Sequence, residues 1–137
     1  MRAVTELALD RRCLAGLRVL VVDDDEDVRD ALLAILLFFG ADGSAVDCAH
    51  DARALLAGGA FDVLLSDIEM PEESGYDLIR SVRRARRTRN LAAAAVTGRV
   101  SMDDRRTALA AGFDRVVAKP LDIPTLVDAV LELVGRA

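Results

Sequence analysis

The sequence predicts an α/β fold, one parallel sheet doubly wound by helices. Three observations predict it. Short apolar runs stop abruptly at polar residues: 19–22 at Asp23-Asp24, 63–65 at Ser66-Asp67, 92–96 at Thr97-Gly98 and 116–118 at Lys119-Pro120. Runs that are apolar throughout, instead of alternating, suit strands buried on both faces, as in parallel sheets. The stretches between them carry apolar residues at helical spacing. Strand and helix therefore alternate, and right-handed crossovers place helices on both faces.

Each element follows in order. Residues 1–16 lack a clean period and read as a leader before a single domain of residues 17–137. The first strand is 18–22. Residues 25–27 supply the turn and cap of the first helix, whose core stripe is Val28, Leu32, Ile35 and Phe39, and Gly40 stops it. The second strand is expected at 44–48, with a short helix at 51–56 ended by Gly58-Gly59. The third strand is 62–66. Residues 70–75 form a loop, and the third helix runs from about Tyr76 to Arg86. The fourth strand is 92–96. Ser101 caps the fourth helix, which ends at Gly112. The fifth strand is 115–118. The fifth helix starts after Asp122 and runs to Val134, with Ile123, Leu126, Val127, Val130 and Val134 as its stripe. No repeat, linker or second domain is expected.

Composition narrows the function classes. At 137 residues the chain suits one domain with a substantial core. The longest apolar run, 31–39, falls short of the roughly 18 residues of a membrane span. The N-terminus lacks the apolar region of a signal peptide, so a cytoplasmic location with no membrane partner is expected. Cys13 and Cys48 show no metal-ligand spacing and are expected to stay reduced. A net charge of −5 argues against nucleic acid as a direct partner. Residues 80–89 hold six arginines but no aromatic residue for base stacking, so they read as a solvated helix end that complements the helix dipole.

The polar residues at the strand ends carry the chemistry. In open parallel sheets, sites gather at the carboxyl ends of strands. The predicted fold collects the carboxylates of Asp23, Asp24 and Asp67, the Thr97 hydroxyl and the Lys119 ammonium there. Clustered carboxylates repel unless a cation or protons neutralise them. An oxygen-only donor set suits Mg²⁺. Asp67 is then a candidate nucleophile, with Thr97 and Lys119 placed to hold a phosphoryl group.

From about Leu17 to Arg136 the chain resembles the receiver domain of bacterial two-component response regulators and hybrid histidine kinases. The resemblance rests on four motifs in order: Val-Val-Asp23-Asp24, Ser-Asp67-Ile-Glu-Met70-Pro71, Val-Thr97-Gly98 and Ala-Lys119-Pro120. It implies a flavodoxin-like five-stranded parallel sheet of order 2-1-3-4-5. It implies Asp67 as phosphoacceptor, and Mg²⁺ ligated by Asp24, Asp67 and the Glu69 backbone carbonyl, with Asp23 acting through a metal-bound water. The Glu69 side chain would overhang the phosphoryl site and tune hydrolysis. Thr97 and Lys119 would bind the phosphoryl group, and Pro120 would follow a cis bond. It further implies a histidine kinase or histidine phosphotransfer protein as partner, and is compatible with a weak homodimer. The module would assist its own phosphorylation and slow dephosphorylation without being an enzyme in the turnover sense.

Two positions depart from the pattern: Val116 where many receivers carry an aromatic switch, and Ser74 where many carry Asp, read as a helix-cap variation. His50, the single histidine, is expected in an exposed loop away from the site. Leu33 and Leu37 form a second apolar ridge on the first helix. In receivers this helix docks the phosphodonor. Alternatively, a leader folding back through Leu7, Leu9 and Leu14 would cover the ridge.

Two other functions fit some of these residues. Asp23-x-Asp25, with Thr97-Gly98 and Lys119, resembles the motifs of haloacid-dehalogenase-like phosphatases, although no acidic pair follows Lys119 and Asp67 is left unexplained. A pseudo-receiver that binds partners without phosphorylation is the other, although such modules usually lack a key residue that is present here.

Overall fold

Apolar runs that must be covered on both sides place themselves at the centre of a layered molecule, and they do so here. The computed structural model describes residues 10–136. In chain order the elements are β1 (Arg18–Val22), α1 (Glu26–Phe38), β2 (Asp42–Val46), α2 (Ala49–Gly58), β3 (Val63–Ser66), α3 (Gly75–Arg84), β4 (Ala92–Thr97), α4 (Met102–Ala111), β5 (Arg115–Ala118) and α5 (Ile123–Leu133). The five strands are parallel in the order β2-β1-β3-β4-β5.

Successive strand residues point to opposite faces. Val19, Val21, Val63, Leu65, Ala94 and Val96 pack with α1 and α5. Leu20, Val22, Leu64, Ala93 and Ala95 pack with α2, α3 and α4. Each fully buried leucine or valine contributes about 1.5–3 kcal/mol. No helix among the described residues is long and apolar enough to cross a membrane.

Helix starts follow local chemistry. Asp25 caps α1, accepting the amides of Asp27 and Val28. Ser74 and Ser101 form capping boxes with Asp77 and Asp104. Asp122 caps α5. Ser74 therefore serves as the cap that the sequence suggested.

The second strand differs from expectation. It is Asp42–Val46, not 44–48. β2 is an edge strand paired only with β1, starting at Arg18↔Asp42. Its residues are exposed or half-buried, so no apolar run marks it. Gly40, at φ 95, turns the chain out of α1 and the strand begins at once. α2 then starts at Ala49, not Asp51, and puts His50, still exposed, in its first turn instead of a loop.

The helical stripes are also broader than periodicity suggested. Leu36 on α1 is fully buried and Ile35 only half-buried. On α5, Ala129 and Leu131 are buried and Ile123 is exposed. A helix covered by both a sheet and a neighbouring helix buries a wider arc than one stripe.

The expected ridge on α1 splits. Leu33 lies over Gly43 of β2, where a Cβ would approach its Cδ2 to 2.8 Å. Leu37 stays 74% exposed, next to half-exposed Phe38. Ahead of β1, Leu14 is fully buried and its amide donates to the Phe39 carbonyl at 2.9 Å. Leu7 and Leu9 lie outside the described residues.

Candidate functional site

Register builds the site. Val22 pairs with Ser66, so Asp23 and Asp67 leave adjacent strands side by side. Thr97 pairs with Ala118, so Lys119 emerges beside Thr97. Backbone bonds carry the ladder one step further: Asp67 N–H donates to the Val22 carbonyl at 2.8 Å, and Lys119 N–H to the Thr97 carbonyl at 2.9 Å. The Lys119–Pro120 bond is cis.

Asp23, Asp67 and Thr97 are buried, whereas Asp24 is exposed. Carboxylate oxygens of Asp23, Asp24 and Asp67 lie within 4.8 Å of one another. The Lys119 Nζ is 2.8 Å from Asp23 Oδ2 and 3.5 Å from Asp67 Oδ2. Asp23 Oδ1 accepts the Asp25 amide at 2.9 Å. Both Asp23 oxygens are thus engaged by the protein. Asp67 Oδ1 accepts the Ile68 amide at 2.8 Å.

Burial, and then the Asp23 carboxylate, push the Asp67 carboxyl above its usual range; Lys119 and the Ile68 and Glu69 amides pull the other way. Burial alone would lower Lys119, but its hydrogen bond to Asp23 and the charges of Asp67 and Asp23 raise it. One ammonium does not neutralise three carboxylates. An all-oxygen donor set with surplus negative charge and one exposed member, Asp24, fits a hydrated divalent cation.

The loop after Asp67 is shaped by Gly75. A Cβ at this position would collide with the Asp67 carbonyl oxygen and lie 2.8 Å from Ile68 Cα. Only glycine allows that approach, and the Gly75 amide uses it to reach the Ile68 carbonyl at 2.7 Å.

The structure brings together the sequence candidates Asp23, Asp24, Asp67, Thr97 and Lys119, with Glu69 on the adjoining loop. It leaves His50 out. Val116 is half-buried among the residues that face α2, α3 and α4.

Two residues at the site escaped the sequence reading. The Arg99 amide donates to Thr97 Oγ1 at 3.1 Å, and its guanidinium pairs with Glu69 at 2.7 Å across the mouth of the site. Arg29 on α1 donates to the Asp23 carbonyl at 2.8 Å. The opposite charges two residues beyond Asp67 and two beyond Thr97 were the available signal for Arg99. Asp25, which the phosphatase reading needs at the reaction centre, is instead occupied in capping α1.

Comparison with known proteins agrees with this geometry. The response regulator receiver domain family matches residues 19–131. An uncharacterised 14.6 kDa protein of Leptolyngbya boryana is 39% identical over 109 residues, covering 80% of this chain and 83% of its own length. The hybrid signal transduction histidine kinase D of Dictyostelium discoideum is 29% identical over 137 residues, covering 93% of this chain. The chain spans only 9% of that kinase. The crystal structure of a response regulator receiver protein from Pseudomonas putida superposes with a TM-score of 0.79 at 32% identity, covering 86% of this chain and 98% of that one.

Proposed function

The chain belongs to the response regulator receiver domain family, and on that premise we propose that Asp67 accepts a phosphoryl group from a phosphohistidine and holds it as an acyl phosphate. One observation carries the reading: a buried strand-end carboxylate stands beside a second carboxylate, a lysine and a buried threonine hydroxyl.

A carboxylate is a weak nucleophile, so the site must lower the charge that builds at phosphorus. An Asp67 oxygen forms the bond to phosphorus as the donor's P–N bond breaks, and that electron pair stays on the imidazole. Lys119 is near enough to Asp67 to follow a phosphoryl oxygen as a compact point charge. Thr97 has a rotatable hydroxyl to donate to another. Asp24 and Asp67, with the Glu69 carbonyl, would hold Mg²⁺, and Asp23 would reach it through water. The cation, when bound, supplies the positive charge that three carboxylates and a phosphoryl group require. Water attack later releases phosphate, so the product of the cycle is a signal state.

The partner we infer is a histidine kinase or a phosphotransfer protein. Support comes from the kinase relative and from an apolar patch on α1 and α5. That patch holds exposed Leu37 beside a cavity of 280 Å³ lined by Ala34, Ile35, Phe38, Phe39 and Ile123. Incubation with phosphoramidate and Mg²⁺ tests the reading. The intact protein should gain one phosphoryl mass, EDTA should prevent it, and Asp67→Asn should show none. A full adduct on Asp67→Asn would sink the assignment.

A further inference from the structure

The loop of residues 67–74 is held at its base and at its tip. At the base, Gly75 is bonded to Ile68 and packed on Asp67. At the tip, the Glu73 amide donates to the Pro71 carbonyl at 2.8 Å, closing a γ-turn around Glu72 at φ 68. A γ-turn with positive φ at its centre is the strained form. Such strain, of order 1–3 kcal/mol, persists only where the surroundings over-determine it.

Arg53 on α2 supplies that constraint. Its Nη1 donates to Glu73 Oε1 at 2.9 Å, and its Nη2 donates to Glu73 Oε2, making a two-pronged pair. Its Nε donates to Ser81 Oγ at 3.1 Å, and that hydroxyl donates to the Leu78 carbonyl at 2.7 Å. All three guanidinium nitrogens are used, so the fork is fixed to α3 as well as to the loop. The pair is half-buried and lowers the Glu73 carboxyl from its usual value. The other tie on this loop, Glu69 to Arg99, has one prong and is mostly exposed.

We propose that Arg53 is a positioning residue for the phosphoacceptor. Through Glu73 it holds residues 68–73 in the shape that keeps the Ile68 amide on the Asp67 carboxylate and the Glu69 backbone toward the cation. This rests on the reading of Asp67 and Mg²⁺ given above. The constraint is geometric, because lysine, a point charge, cannot reproduce the fork. An exposed ion pair alone would add little.

The test uses the whole chain with Arg53→Met, Arg53→Lys, and the exchange Arg53→Glu with Glu73→Arg. Amide exchange at Glu73 and Gly75, without cation, reads the loop; calorimetric titration with Mg²⁺ reads the site. Arg53→Met should speed exchange at both amides and weaken Mg²⁺ binding about tenfold, the low end for partners that orient ligands. Melting should fall by a few degrees at most. Arg53→Lys should resemble Arg53→Met, and the exchanged pair should recover part of both losses.

Unchanged loop protection, or unchanged Mg²⁺ affinity with a lowered melting point, would make Arg53 merely structural and overturn the proposal. Should Arg53→Met fail to fold, Glu73→Gln keeps the size but replaces one accepting oxygen with an NH2, which removes the charge and one prong of the fork. It should shift both readouts in the same direction by about a third as much on a logarithmic scale, and no shift overturns the proposal. Wild-type protein that binds no Mg²⁺ and accepts no phosphoryl group is a different failure. It removes the site reading first, and the Arg53 assignment with it, whatever the loop does.

Discussion

Helices α4 and α5 are nearly equal in length, 10 and 11 residues, yet they are attached very differently. α5 buries Leu126, Val127, Ala129, Val130 and Leu131. α4 buries only Ala108, and leaves Met102 at 71% and Leu109 at 51% exposed. Both follow residues of the proposed site: Thr97 ends β4 and leads to α4, and Lys119, just after β5, leads to α5. The lysine is therefore carried into a firmly packed helix, while the threonine leads into a weakly packed one. Elements with few buried apolar contacts open at low free energy. Charge balance at the site is thus anchored on the α5 side, while the α4 side opens at lower cost. Val116, at the place of an aromatic switch, adds no ring to couple the two.

The largest expected effect lies on the anchored side. Leu126→Ala removes a fully buried side chain of α5 and should cost about 2–5 kcal/mol in urea unfolding. A cost below that of an α4 surface change would break the comparison.

Asp23→Asn should come next. It leaves Lys119 facing Asp67 alone across 3.5 Å, with the closer partner neutral. Breaking one end of such a pair should cost up to about 3 kcal/mol without cation, at the low end for buried pairs because Lys119 keeps some exposure. An unchanged unfolding midpoint would show that Asp23 and Lys119 do not depend on each other.

The buried carboxylates also make cation-free stability depend on pH. Asp67 is raised in the folded state, chiefly by burial and then by Asp23. Between the ordinary carboxylate value and the raised one, the folded chain binds more protons than the unfolded chain. Its contribution to cation-free stability therefore falls as pH rises through that window. Asp67→Asn should flatten this slope and be the more stable protein at neutral pH without Mg²⁺. An equal slope in both proteins would contradict the shift.

The smallest expected effect is Leu109→Ala on α4, within about 0.5 kcal/mol of wild type. A loss of several times that would mean α4 is held far more tightly than its burial indicates.

Much of this was legible because the informative residues interrupt regular patterns. Asp23, Asp67, Thr97 and Lys119 each end an apolar run, and the parallel order aligns those ends. Ser101 and Asp122 mark helix starts through their own side chains. β2 was misplaced because an edge strand of small and polar residues has no apolar run to mark it. Periodicity leaves Leu33 either on an exposed ridge or under the leader, because nothing local reveals that Gly43 of β2 makes room for it. The pairs Arg53–Glu73 and Arg99–Glu69 join elements 20 and 30 residues apart. Neither pair leaves a periodic trace; Arg99 and Glu69 are marked only by their equal offset from Thr97 and Asp67, and nothing singles out Arg53 among the arginines as the partner of Glu73. The weak attachment of α4 was equally hidden, since periodicity finds a helix but not how firmly it is covered.

On the proposed reading, Asp67 alone carries the phosphoryl group. Phosphorylation with phosphoramidate and Mg²⁺, followed by borohydride reduction and peptide sequencing by mass spectrometry, tests it most directly. An acyl phosphate is reduced to the alcohol, so homoserine should replace aspartate at position 67 and nowhere else. Homoserine at Asp23 or Asp24, or a phosphoryl group retained on His50 with Asp67 intact, would contradict the account.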